Sequence, residues 1–192
     1  KIISIASASD LQSLDMEQSM GSYYVLTEDI TIDGNYYLGG EFNGTLDGQG
    51  HTVTFADSVS MFSWVGPEGV LQNIYFTGTL SGYQASGPVG TKLAGAVINC
   101  YSDISGKNAC GFAGSLNGGT LANSYSVSAG NKGALFNKYV SGTIVRSYWS
   151  ELLSNPELFP AASLIESGEK ADAYMRSKDF VQLLNENRGE NG

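Results

Sequence analysis

Positive charge is scarce in this chain. Ten Lys and Arg stand against 19 Asp and Glu, a net charge of −9. Nothing electrostatic therefore draws it to DNA, RNA or an anionic membrane, and nucleic acid is excluded as a partner. Histidine and cysteine are nearly absent. One histidine, His51, and two cysteines, Cys100 and Cys110, cannot furnish the four ligands of a structural zinc site and allow at most one disulfide. No cofactor or metal is expected. No apolar run approaches the roughly 18 residues of a spanning helix, so no membrane insertion is expected of this stretch. The sequence opens at Lys1 without an initiator Met, which reads as a processed or excised fragment. What is abundant is glycine, 25 residues, and tyrosine, 11, while charged residues make up only 15%. A chain that is polar through Ser, Thr, Asn and Tyr has the flavour of a secreted β protein. Its 192 residues suffice for a single domain, 1–192, with its own core.

Self-similarity organises the middle of the chain. Val70-Leu71-Gln72-Asn73-Ile74-Tyr75, Ala96-Val97-Ile98-Asn99-Cys100-Tyr101, Thr120-Leu121-Ala122-Asn123-Ser124-Tyr125 and Thr143-Ile144-Val145-Arg146-Ser147-Tyr148 superpose, their tyrosines 26, 24 and 23 residues apart. Ahead of each block lies a tetrapeptide with an apolar third position: Ser60-Met61-Phe62-Ser63, Gly87-Pro88-Val89-Gly90, Gly111-Phe112-Ala113-Gly114 and Ala134-Leu135-Phe136-Asn137. Such a period is the length of one turn of a parallel β-solenoid, two or three short strands joined by tight turns. No rung can bury its own apolar face. Leu71, Val97, Leu121 and Ile144 therefore predict a stacked aliphatic column, one residue per rung, at the roughly 4.8 Å strand spacing. Asn73, Asn99 and Asn123 predict a second column at a bend, where side-chain amides bond to their equivalents above and below. Arg146 breaks it. Tyr75, Tyr101, Tyr125 and Tyr148 form a third column.

Upstream, Phe42 to Val53 reads as strand, Asp-Gly turn, strand and would be the first full rung of about five. Tyr24-Val25-Leu26 and Ile30-Thr31-Ile32 are alternating runs that start the sheets. Ser9-Asp10-Leu11-Gln12 fits a capping box, so residues 1–21 are expected to hold a short N-terminal cap helix. Residues 22–150 form the solenoid. Residues 151–192 are expected to supply a helical cap or linker, with a helix opening at Ser177 and Phe180, Leu183 and Leu184 on one face. Both lids are expected to shield open strand edges.

The glycine-flanked tetrapeptides, with Asn99-Cys100-Tyr101-Ser102 and Asn123-Ser124-Tyr125-Ser126, resemble the GLUG repeat of bacterial surface proteins. So does Gly44-Thr45-Leu46-Asp47-Gly48-Gln49-Gly50-His51-Thr52-Val53, and the resemblance covers residues 22 to 150. It implies a right-handed parallel β-helix of large secreted or wall-attached adhesin-like proteins, also found beside the catalytic part of IgA-cleaving metallopeptidases. Ser60, Ser63, Ala134 and Asn137 depart from its glycines, and Pro88 stands where Leu is usual. The motif is architectural and carries no catalytic residue across.

Parallel β-helices also include polysaccharide lyases and hydrolases, whose sites need converging carboxylates. Within the repeats the acids are Asp47, Asp57, Glu68 and Asp103, with no two at equivalent positions in successive rungs. Asp103 and Lys107 are the nearest acid and base pair. His51 has no partner at a recognisable spacing and reads as a turn residue. No zincin motif or phosphate loop occurs. Cys100 occupies the slot of Ile74, Ser124 and Ser147, which suits a buried thiol, and its ten-residue separation from Cys110 falls short of one rung. The remaining signal is aromatic. The Tyr column reads as a structural ladder, though an exposed column would be a platform for sugars or a protein. Tyr23, Tyr24, Tyr36 and Tyr37 are further large side chains, and Trp64, Tyr83 and Trp149 are the candidate ligand contacts. The resulting expectation is a non-catalytic extracellular module of a larger bacterial surface or secreted protein, a monomer, acting in adhesion or recognition of a glycan or host surface protein and as a rigid spacer. The alternative is an accessory domain of a secreted peptidase or a carbohydrate-active β-helix enzyme.

Overall fold

The computed structural model describes residues 2–36, 38–128, 132–152 and 164–189. It is a parallel β-solenoid. Seven strands stack in chain order on one face: Ile30–Asp33, Thr52–Ser58, Tyr75–Leu80, Tyr101–Ser105, Tyr125–Ser126, Tyr148–Ser150 and Gly168–Lys170. Seven levels on this face make seven turns, two more than the repeat count suggested. A second stack runs through Ile2–Ile5, Tyr23–Leu26, Thr45–Asp47, Val70–Gln72 and Ala96–Ile98, and a third through Glu41–Phe42, Trp64–Val65 and Gly90–Leu93. Two long strands, Ala113–Ala122 and Phe136–Val145, pass through both stacks, bending where their mutual register shifts near Asn117. The Asp47-Gly48 turn is likewise a corner between two faces.

The aliphatic column forms in register, with Leu46, Leu71, Val97, Leu121 and Ile144 on successive levels, all fully buried. Burying each is worth about 1.5–3 kcal/mol, and only the stack makes that burial complete. Phe42 lies flat on Phe62 beside it, centroids 4.4 Å apart. The tetrapeptide glycines have a packing cause. A Cβ at Gly87 would run into the carbonyl oxygen of Phe112 on the next rung, and one at Gly111 into that of Ala134. Rungs approach there more closely than a side chain permits.

Both termini depart from expectation. The first helix, α1 (Ala8–Gln12), starts two residues earlier than the Ser9 box: the Ser7 hydroxyl accepts from the Asp10 amide at 3.1 Å, and the Asp10 carboxylate accepts from the Ala6 amide at 3.0 Å. Ahead of it the β-branched run Ile2–Ile5 joins the sheet beside Tyr23–Leu26, so the solenoid extends below residue 22. It also extends above 150, since Leu164–Ile165 and Gly168–Lys170 add a further level. The C-terminal helices are α2 (Asp172–Met175) and α3 (Lys178–Gly189), the latter capped at Ser177 as expected. Of the 151–192 segment, 153–163 and 190–192 lie outside the described residues. Helix α3 is placed differently from a lid over the open end. Phe180 of α3 sets its edge against Tyr125, Tyr148 and Tyr174, at 5.1, 5.7 and 5.6 Å, so α3 lies along the flank of the solenoid, over its outward tyrosines. The helix thereby buries Phe180 against aromatic rings, which pack edge to face.

Candidate functional site

Two regions carry the chemistry-bearing side chains, and the first is the corner where the Asn column sits. Asn73, Asn99 and Asn123 have φ of 56°, 53° and 43°, the left-handed region that Asn tolerates best among side-chain-bearing residues. Arg146 adopts the same conformation at the next corner, φ 46°. The amides form a directed ladder. Asn123 Nδ2 donates to Asn99 Oδ1 at 2.7 Å, Asn99 Nδ2 to Asn73 Oδ1 at 3.4 Å, and Asn73 Nδ2 to Asp47 Oδ1 at 3.0 Å. Asp47 is thus the anchor, buried and also accepting from Tyr23 Oη, Gln72 Nε2 and both the amide and side chain of Gln49. Burial pushes its carboxyl up, but the donors led by Asn73 outweigh burial and hold it below the usual carboxylate range. At the far end Asn123 Oδ1 meets no donor among the described residues, and Arg146, which replaces the next Asn, pairs with Glu166 at 2.7 Å.

Behind the amides runs a hydroxyl ladder that the sequence reading missed. Ser124, Ser147 and Ser167 Oγ each accept the backbone N–H of the residue one rung below, Cys100, Ser124 and Ser147, at 3.0, 3.2 and 2.9 Å. Each donates to the carbonyl two residues back. The Cys100 thiol does the same toward Ile98, so it fills a serine's place. Both cysteines are free, and burial pushes both thiols up to about 12.

The tyrosines stand in register and point outward, alternating with the buried Ser102 and Ile104. Tyr75 stacks on Tyr101 and Tyr101 on Tyr125, centroids 4.5 Å apart in both cases. Helix α3 buries Tyr148 and leaves Tyr75, Tyr101 and Tyr125 half-buried. The ladder is therefore covered at its upper end and open below. Between it and α3 lies a cleft of about 410 Å³ walled by the Asn column, these tyrosines, Gln49, Leu184, Asn185 and Arg188.

The second region holds the predicted contacts. Trp64 lies half-buried on the third face with Lys92 Nζ 3.7 Å above its ring centroid and Glu41 next to it in register. Its indole N–H is buried and meets no acceptor among the described residues. Tyr83 is 100% exposed yet sits on a tethered loop, since Asn108 Nδ2 donates to the carbonyls of Gly82 and Tyr83 at 3.0 and 3.1 Å. The two residues border adjacent hollows of about 490 and 340 Å³ that share Ser63 and Thr91, the second floored by Leu38 and Phe62. The structure thus brings Trp64 and Tyr83 to one side of the solenoid. Trp149 is corrected. It is 6% exposed and part of the core, because its position pairs with the inward Ser126, and it cannot serve as a surface contact. Tyr36 is buried with its hydroxyl donating to the Met61 carbonyl at 2.8 Å, and Tyr37 lies outside the described residues.

No family model matches this chain, and neither does any curated protein or solved structure. Chemistry must be read from the residues alone. His51 does have a partner: its Nδ1 lies 3.1 Å from Asp29 Oδ1, one rung away. Asp29 also accepts the Thr52 amide at 2.8 Å, which with His51 holds its carboxyl below the ordinary range. The other ring nitrogen meets no hydrogen-bond partner among the described residues. Asp103 and Lys107 form no ion pair with each other. Among the described residues no group of three or more His, Cys, Asp or Glu is placed to hold a metal, and no helix is long and apolar enough to cross a membrane.

Proposed function

We propose that this chain is a non-catalytic extracellular recognition module of a larger bacterial surface or secreted protein, its stacked rungs serving also as a rigid spacer. The observation that carries the reading is Tyr83, a fully exposed ring on a loop held by two hydrogen bonds beside an apolar hollow. Exposed aromatic area of this kind is costly to leave in water and is the commonest anchor of binding surfaces, because a ring orders with little loss of entropy. Trp64 extends the surface across Ser63 and Thr91. The partner is a host surface protein or its glycan. The resemblance to GLUG repeats of adhesin-like proteins supports the location. A host-protein and glycan array probed with the wild type and the Tyr83→Ala and Trp64→Ala variants, each checked for intact β signal by circular dichroism, tests it. Specific binding lost in a folded variant is expected. No binding by the wild type, or binding untouched in both variants, refutes recognition through this surface.

A further inference from the structure

We propose that the cleft between α3 and the Asn/Tyr corner is a second binding site, for an acidic oligosaccharide: a hydroxyl-rich chain carrying a carboxylate. The charge distribution gives the first argument. Acids outnumber bases 19 to 10 in the chain, yet among the described residues no Asp or Glu lines this cleft, and Arg188 does. Arg188 is exposed and enters no ion pair among the described residues. A cation in the last turn of a helix also suits the helix dipole, but the dipole does not clear acids from the opposite wall. A planar guanidinium with no ion-pair partner among the described residues is matched to a carboxylate, which it grips with two parallel hydrogen bonds.

The second argument is the amide row. An Asn side chain has two N–H donors, and Asn73, Asn99 and Asn123 each use one along the ladder. Each keeps a second donor with no partner among the described residues, repeated at the strand spacing of about 4.8 Å. Neutral donors in a fixed row are what a chain of sugar hydroxyls requires, and the directed ladder anchored on Asp47 keeps the amides from turning. The third is the end of the Tyr stack. Tyr101 covers one face of Tyr75, while the residue below it in register is Thr52, so the outer ring face carries no aromatic neighbour among the described residues. That face offers flat apolar area for a sugar ring. The cleft volume, about 410 Å³, falls in the range of small-ligand sites. None of its lining residues borders the Tyr83 and Trp64 hollows, so the two sites stand or fall separately.

Isothermal titration of the full chain with oligogalacturonate, oligomannuronate and a hyaluronate oligomer tests the site, with fully methyl-esterified oligogalacturonate as the neutral counterpart. Saturable binding of at least one acidic oligomer is expected. Arg188→Gln, an exposed substitution that leaves the core intact, is expected to weaken it at least tenfold, as is esterification. Tyr75→Ala is expected to weaken it too, and Tyr83→Ala to leave it unchanged. The proposal is overturned if no acidic oligomer saturates by about 1 mM, if Arg188→Gln or the ester binds as well as its reference, or if Tyr83→Ala abolishes binding and so moves the site to the other surface.

Discussion

Replacing Asn99 separates the two jobs of the corner residue. In Asn99→Ala the backbone must keep a φ near 53° without an amide, which costs an L residue about 1 kcal/mol or more. The ladder is also cut on both sides: Asn123 Nδ2 loses its acceptor at 2.7 Å and Asn73 Oδ1 its donor at 3.4 Å. The first is the shorter bond and ends at a buried residue, so its loss dominates, at about 1–3 kcal/mol. The sum is about 2–4 kcal/mol, or a drop in Tm of about 4–16 °C for a chain of this size. Asn99→Gly cuts the same ladder but adopts the left-handed conformation freely. It should therefore be less damaging than Ala by about 1 kcal/mol. Urea titration followed by far-UV circular dichroism, with comparison of slopes to confirm that the same surface unfolds, measures both variants. If Ala and Gly both fall within about 0.5 kcal/mol of wild type, a value typical of inert surface changes, the ladder is ornamental. If Gly is worse than Ala, the left-handed corner is the wrong explanation for asparagine.

Gly111→Ala should destabilise by about 3 kcal/mol or prevent folding, since its Cβ meets the Ala134 carbonyl, whereas Ser60→Gly, at the equivalent tetrapeptide position, should be mild; thermal melts compare them. Both thiols, pushed up to about 12 by burial, should resist iodoacetamide at pH 8 in the folded chain and react on denaturation; rapid native labelling would contradict the packing. Acid should destabilise the fold. Asp10, Asp29, Asp47 and Asp172 are all held below the ordinary carboxylate value of 3.8, so the stability they contribute is complete above that value and is lost as pH falls through their lower folded values. Tm should be level from pH 7 to about 5 and fall below about 4, less steeply in Asp47→Asn; a Tm that rises on acidification would refute the sign.

The columns were legible because a solenoid repeats its environment every rung: Leu71, Asn73 and Tyr75 recur wherever the same contact recurs. Terminal levels were invisible for the same reason, since Ile2–Ile5 and Leu164–Ile165 carry neither Asn nor Tyr. The direction of the tyrosines was hidden by their inward neighbours. Ser102 and Ser126 are fully buried but polar, forming an interior hydroxyl cluster with Ser128, so the apolar alternation that fixes strand parity is lost there. Trp149 was misplaced by that same loss. Rung arithmetic could have found one partner: Asp29 precedes His51 by 22 residues, close to a single turn. Nothing local in residues 178–189 could show that α3 docks along the flank, because the surface it covers is assembled from separate rungs, those of Tyr125 and Tyr148.

The central claim is recognition through Tyr83 and Trp64, and the most direct measurement is the affinity of the array-identified partner for wild type, Tyr83→Ala and Arg188→Gln side by side. A central aromatic anchor is worth about 2 kcal/mol or more, so Tyr83→Ala should weaken binding roughly thirtyfold, with Arg188→Gln unchanged. Equal affinity of the wild type and Tyr83→Ala would contradict the claim.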